Sequence, residues 1–246
     1  MSLEITPVQI SKDVEQHDNI IELLISSPSK PEIKNGDILV ITQKIISKQE
    51  GNIVDLSTVM PSLLAIGIAS AYGKDPRVVE IILSQSKRII RMNNGVIITE
   101  TTQGFICANA GIDESNVKNG YVTLLPKNAD DTAKKLKDQI FQKTGKDVAV
   151  VISDTFGRPF REGQTNYAIG IAGISAISDY VGTKDTFGKT LHVTAIAIVD
   201  EICSAAELVM GKALNTPIAI VRNYKYQKSD SLAKDVIRLK STDLFR

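Results

Sequence analysis

Residues 147–163 read DVAVVISDTFGRPFREG, and the first half of that stretch constrains the fold more than any other part of the chain. Val148, Ala149, Val150, Val151 and Ile152 form an apolar, largely β-branched run without a polar interruption. Such a run suits a strand buried on both faces, although periodicity alone also admits a buried helix. Polar groups follow at once: Ser153, Asp154, Thr155, Gly157, Arg158, Arg161 and Glu162. A carboxylate and a hydroxyl at the carboxyl end of a buried strand are placed to hold a hard cation. The guanidinium groups of Arg158 and Arg161 suit phosphate or carboxylate partners. Gly157 and Gly163 let the backbone turn or approach a ligand closely. The plainer alternative is a strand end that runs into a polar surface loop.

Composition narrows the partners. With 29 Lys and Arg against 28 Asp and Glu, the net charge is +1, so no global field argues for nucleic acid or an acidic membrane. Any anion site must arise from local placement. At 43% hydrophobic and 23% charged residues over 246 positions, the chain has ordinary globular composition and room for one large domain or two small ones. Its two cysteines, Cys107 and Cys203, sit in apolar company and suit reduced core thiols, with no CxxC pair for zinc. The N-terminal residues lack a signal pattern, and no apolar run approaches the ~18 residues of a membrane span. A cytoplasmic protein is expected.

Residues 3–10 and 38–41 read as strands, with Asn35-Gly36-Asp37 as a turn before the second. Residues 20–26 fit a short helix ended by Pro28 and Pro31. The segment TQKIISKQEG at 42–51 reads as a turn carrying Lys44 and Lys48, either solvated or poised as phosphate hooks. Residues 62–72 form an Ala-rich apolar segment with Gly73 as its C-cap, and Asp75-Pro76 opens a helix to about residue 87. Two strands within 89–99 flank Asn93-Asn94-Gly95, and short strands follow at 105–108 and 121–125. Asp130 or Asp131 is expected to cap a helix with Ala133, Leu136 and Ile140 on one face, closed by Gly145. Small residues at 168–177, with Gly170 and Gly173, imply tight packing, with a subunit contact as one setting. The pattern then predicts a buried strand at 191–199, a helix at 200–210, a strand at 218–221 and a terminal helix at 231–239. Strands and helices do not alternate strictly, so the expectation is α+β or mixed α/β.

Asp113 and Asp154, with Asn116 and Thr155 beside them, supply oxygen ligands suited to Mg²⁺ or Mn²⁺ rather than zinc, although Asp113, Glu114 and Asn116 also read as a helix N-cap with a polar first turn. His17 reads as solvated and His192 as a packed strand residue. There is no GxxxxGK[ST] loop, no GxGxxG after a strand and no GxSxG, which excludes P-loop, dinucleotide-binding and serine-hydrolase fingerprints. A hard metal with local lysines and arginines fits phosphate-bearing substrates.

The strings ITQKIISKQEG (41–51), NAGIDESN (109–116) and ISDTFGRPFREG (152–163) resemble the coenzyme F420-0:L-glutamate ligase family. Further similarity runs through residues 168–191 and 200–212, so the match covers most of 37–221 in the same order. The resemblance implies one domain over residues 1–246, or two intertwined subdomains within it, in a mixed α/β (α+β) fold that is neither P-loop nor Rossmann. It implies a cytoplasmic homodimer that adds L-glutamate in γ-linkage to coenzyme F420-0 and F420-1 in coenzyme F420 biosynthesis. GTP would be the co-substrate, Mg²⁺ or Mn²⁺ would fill two sites, and K⁺ would assist. An acyl phosphate on the substrate carboxylate would be attacked by the glutamate amine. By the same resemblance, Asp113 and Asp154 match ligands of one metal and Thr155 a ligand of the second. Thr42, Gln43, Lys48 and Asn116 match nucleotide contacts, as does the loop 210–217 with Met210, Gly211 and Lys212. Asp154, Arg158 and Arg161 are the expected catalytic residues. The chain departs from the family pattern at Lys212, where relatives carry a metal-ligating glutamate or glutamine, and at ISKDV (10–14), which replaces a Gly-Leu-Pro type of segment. Two alternatives stand beside this reading. One is a metal-dependent phosphohydrolase, although no second Asp follows two residues after Asp154. The other is a non-catalytic nucleotide or deazaflavin binder, hinted at by Lys212 alone.

Overall fold

The computed structural model describes residues 2–29, 31–115, 117–212 and 214–244, and the apolar run at 148–152 lies within a long strand of the main sheet. In chain order the elements are β1 (Glu4–Val8), α1 (Ile20–Ile25), β2 (Ile38–Thr42), α2 (Gln43–Gln49), β3 (Ile53–Asp55), α3 (Leu63–Tyr72), α4 (Pro76–Ser84), β4 (Ser86–Asn93) and β5 (Val96–Thr101). They continue with β6 (Ile106–Ala108), β7 (Tyr121–Thr123), α5 (Ala129–Thr144), β8 (Ala149–Arg158), β9 (Arg161–Ala172), β10 (Ser178–Asp179), β11 (Ala195–Ile196), α6 (Ile198–Met210) and β12 (Ile218–Arg222). The main sheet has the order β1-β12-β2-β8-β9. β2 and β8 run parallel, while its other neighbours are antiparallel. Smaller sheets pair β4-β5-β6, β3-β7 and β10-β11. The architecture is α+β with a mixed sheet, as the irregular alternation of elements implies.

The central strands are apolar throughout because helices cover both faces. Leu39, Ile41, Val150 and Ile152 pack with Leu24 of α1, Ile46 of α2, and Leu136 and Ile140 of α5. Ile38, Val40, Ala149 and Val151 pack with Val199, Cys203, Ala206 and Met210 of α6. Each such aliphatic side chain contributes about 1.5–3 kcal/mol when fully buried. A third cluster joins Ala65 and Ile68 of α3, Val79 and Ile82 of α4, Ile97 of β5 and Val122 of β7. Caps follow local chemistry: Asp75 accepts from the Arg77 N–H at 2.8 Å with Pro76 in the first turn, and Gly73 closes α3 in the left-handed region. No helix among the described residues is long and apolar enough to cross a membrane.

The structure corrects five expectations. First, β8 does not end at Ile152. It continues through Arg158 and turns into β9, because Ser153 to Arg158 pair with residues 161–168 of that strand. Second, most of 42–51 is the helix α2 (Gln43–Gln49), with Ile45, Ile46 and Ser47 buried, rather than a turn. Third, α5 is capped by Asn128, whose side chain accepts from Asp131 N–H at 3.2 Å. Asp130 instead accepts from the backbone N–H groups of Ile171 (2.8 Å) and Ala233 (3.0 Å), tying α5 to β9 and the C-terminal segment. Fourth, within 191–199 only the two residues of β11 are strand, and His192 is exposed rather than packed. Fifth, the terminal segment forms only short 3-10 turns, at Ala233–Val236 and Lys240–Thr242. The small residues at 168–177 do pack closely: a methyl group on Gly170 would collide with the backbone of Ala129 at the start of α5.

Candidate active site

A cavity of about 1030 Å³ opens at the carboxyl ends of the parallel pair β2 and β8. Ligands favour that end of such strands, because the chain leaves the sheet there and loops and helix ends supply polar groups. Thr42 and Ser153 face each other in register at this edge, and both line the cavity. Ser153 Oγ is buried and has no hydrogen-bond partner among the described residues.

Asp113 reaches the cavity from the loop after β6. That loop is bent by consecutive left-handed residues, Asn109 (φ 52°) and Ala110 (φ 55°), a conformation that costs a side-chain-bearing residue on the order of 1 kcal/mol. It is then pinned to β7 by paired backbone bonds between Asp113 and Thr123 at 3.2 and 2.9 Å. The Asp113 carboxylate accepts from Lys44 Nζ at 2.8 Å, Ser115 N–H at 2.7 Å and Ser115 Oγ at 3.0 Å. Burial raises its pKa, but these donors outweigh it and hold the group below the ordinary carboxylate value.

Asp154 is its opposite. Burial pushes its pKa up to about 7, and the nearby charge of Asp113 acts in the same direction. The Thr155 backbone N–H and the ammonium groups of Lys212 and Lys44 only partly oppose this. An ionised Asp113 that raises the proton affinity of a buried Asp154 leaves a position suited to a hard divalent cation, with waters and substrate oxygens completing its shell. Among the described residues no group of three or more His, Cys, Asp or Glu gathers to hold a metal. Burial, with the charge of Asp154, pushes the Cys107 thiol up to about 12 and favours its protonated form.

Of the expected nucleotide contacts, Thr42, Gln43, Lys48, Gly211 and Lys212 line the cavity. The Lys48 side chain is 8% exposed, and its ammonium contacts both carboxylate oxygens of Asp13 at 2.7 and 2.9 Å. Asp13 belongs to the 10–14 segment, which lines the same cavity despite its departure from the family pattern. Gln43 spends its amide N–H groups on Ser47 Oγ (2.5 Å) and the Leu124 carbonyl (3.0 Å), so its side chain braces α2. Met210 lies in the core beneath the cavity. Asn116 lies outside the described residues. Arg158 and Arg161 pair across the tip of the β8–β9 hairpin and are not among the cavity-lining residues, of which Gly157 and Gln164 come nearest to them.

Sequence reading missed Asn166 and Glu207, which line the cavity and meet Thr155 and Lys212. Thr155 Oγ donates to Asn166 Oδ1 at 2.6 Å, and Asn166 Nδ2 donates to Glu207 Oε2 at 2.9 Å. Asn166 ends a polar run on β9 and carries no signal of its own, so a carboxylate in the last turn of a largely apolar helix was the one available signal.

Residues 10–223 match the family model described as F420-0:Gamma-glutamyl ligase. The chain is 45% identical over 234 residues to the coenzyme F420:L-glutamate ligase of Methanothermobacter thermautotrophicus, covering 93% of each chain. It is 45% identical over 229 residues to the protein of that name from Methanocaldococcus jannaschii, covering 93% of this chain and 90% of the relative. The Methanopyrus kandleri protein of the same name is 42% identical over 250 residues, covering 100% and 98%.

Proposed function

The chain belongs to the F420-0:gamma-glutamyl ligase family, and from that membership we propose that it joins L-glutamate in γ-linkage to coenzyme F420-0, and then to F420-1, in coenzyme F420 biosynthesis, with GTP as the driving co-substrate. The observation that carries the reading is the set of groups around one cavity: Asp113 and Asp154 beside the ammonium groups of Lys44, Lys48 and Lys212, at the carboxyl ends of β2 and β8.

A free carboxylate is a poor acyl donor. Transfer of the γ-phosphoryl group of GTP to the terminal carboxylate of F420-0 gives an acyl phosphate and GDP. The amine of glutamate then attacks the acyl carbon, the amide forms and phosphate leaves. A Mg²⁺ or Mn²⁺ ion held by Asp113 and Asp154 would supply charge neutralisation for the phosphoryl group in flight. Lys48 lies in a largely buried position where a phosphate oxygen can replace the Asp13 carboxylate. Lys44 keeps Asp113 ionised and oriented. K⁺ is proposed as an activating ion without an assigned ligand set. Arg158 and Arg161 lie past the cavity edge, so we assign at least one of them to the acceptor, whose phosphodiester lies away from the reacting carboxylate. A homodimer fits the exposed apolar side chains Phe187 and Val193 on the segment around β10 and β11.

The test is phosphate release from GTP with F420-0 and Mn²⁺ present, measured with and without L-glutamate. Release that rises with glutamate supports the ligase. Release indifferent to glutamate would indicate a phosphohydrolase, and no release a binding protein.

A further inference from the structure

Asp154 and Thr155 are consecutive on β8, so their side chains leave opposite faces of the strand. Asp154 faces Asp113, whereas Thr155 faces the end of α6. There Lys212 Nζ donates to Thr155 Oγ1 at 2.7 Å and pairs with Glu207 Oε1 at 2.9 Å. The Thr155 hydroxyl proton is spent on Asn166, and the Asn166 amide holds the other Glu207 oxygen, so the four side chains close a ring. Asn166 is 2% exposed and stands opposite Thr155 across the β8–β9 ladder, which fixes one side of the ring rigidly. The other side is built on the carboxyl end of a 13-residue helix with no basic residue in its last turn. A carboxylate at that end lies against the negative pole of the helix, and the pair together favour a cation. The only cation touching it among the described residues is the ammonium of Lys212, brought back over the helix end by the left-handed turn at Gly211 (φ 58°).

A point bounded by a hydroxyl oxygen and a carboxylate oxygen at these distances is a cation position. The family resemblance implies a second divalent ion at Thr155, and the residues present do not fit one, because the Thr155 lone pair and the Glu207 oxygen are already engaged by a positive charge. We propose that the Lys212 ammonium is the resident, tethered cation of the α6 wall, so that this chain takes no divalent ion there and confines its divalent metal to Asp113 and Asp154. The inference rests on the ligase reading for the role of Asp113 and Asp154, but the occupancy of the α6 wall is tested separately.

Equilibrium dialysis against millimolar Mn²⁺ alone, without nucleotide, counts ions bound per chain. A wall site with one carboxylate, a hydroxyl and waters binds a dication weakly, hence the millimolar range. Lys212→Gln opens the position and is expected to bind one Mn²⁺ more than wild type. Adding Glu207→Gln to it should remove that extra ion, and Lys212→Arg, which keeps a cation in place, should gain none. The gain should persist in an Asp154→Asn background. A wild-type chain that already binds an ion removable by Glu207→Gln would overturn the proposal, as would a Lys212→Gln chain that gains none. Failure of the ligase reading has a different signature: phosphate release from GTP with F420-0 and Mn²⁺ would not rise with L-glutamate, whatever the ion count.

Discussion

Asp154 is the side chain whose state depends most on what shares the cavity with it. Its folded pKa of about 7 lies above that of an unfolded chain, so the metal-free folded protein holds a proton that the unfolded chain has released. Stability of the metal-free protein therefore falls as pH rises from the ordinary carboxylate range towards 7. Asp154→Asn removes this loss. Thermal melts with a chelator should find the variant gaining on wild type between pH 5 and pH 8, by about 5 °C on the usual scaling for a domain of this size. Mn²⁺ should close that gap by stabilising wild type, and the variant should lose most turnover while remaining folded. A gap that does not change with pH would show that burial does not raise this carboxyl group. Lys48 and Asp13 give a paired expectation. Lys48→Ala removes charge-assisted bonds worth about 1.5–3 kcal/mol, raising the apparent KM for GTP roughly tenfold to a hundredfold. Asp13→Ala removes the carboxylate that competes for the same ammonium and should lower that KM. Steady-state titration of GTP checks both, and equal effects of the same sign would contradict the displacement of Asp13 by phosphate.

At the scale of elements, the long antiparallel pair β8–β9 organises the site, and its packing against α5 is the contact with least slack. Gly170→Ala forces a methyl into the backbone of Ala129 and is expected to cost about 1–3 kcal/mol by overpacking, read as a lower urea midpoint with an unchanged slope. A neutral substitution would mean that α5 can withdraw from the strand. The elements legible in the sequence were those with complete local chemistry: the buried apolar strands at β2, β8 and β12, the Asp75-Pro76 start of α4, and the glycine caps of α3 and α5. The misread elements lacked it. β8 continues past Ile152 because the hairpin carries it beyond the helices, and its polar side chains there face a cavity rather than a core. α2 is seven residues long, with no side-chain cap, so its helical period barely repeats. Residues 191–198 are largely apolar, yet none of them is buried.

Over the whole molecule, the cavity gathers residues from almost the full length of the chain, from Ile10 to Pro217. Asp113, Asp154, Thr155, Lys48 and Lys212 were legible as candidates because each stands in a local motif. Asp13, Asn166 and Glu207 were not, since their meaning lies in pairings across 35, 11 and 41 residues that only the fold creates. The exposed apolar side chains of Phe187 and Val193 belong to this scale as well. If they meet a second copy of the chain, the double variant Phe187→Asp, Val193→Asp should elute as a monomer in size-exclusion chromatography while wild type elutes as a dimer. Identical elution volumes would leave that surface without the proposed partner. Mass spectrometry of F420-0 incubated with protein, GTP, Mn²⁺ and L-glutamate reads the joining of glutamate to the deazaflavin substrate itself. The products should be heavier by one or more glutamyl units, a gain lost when GTP is omitted and in Asp154→Asn. F420-0 recovered unchanged from the complete mixture, with the protein folded, would contradict the ligase reading.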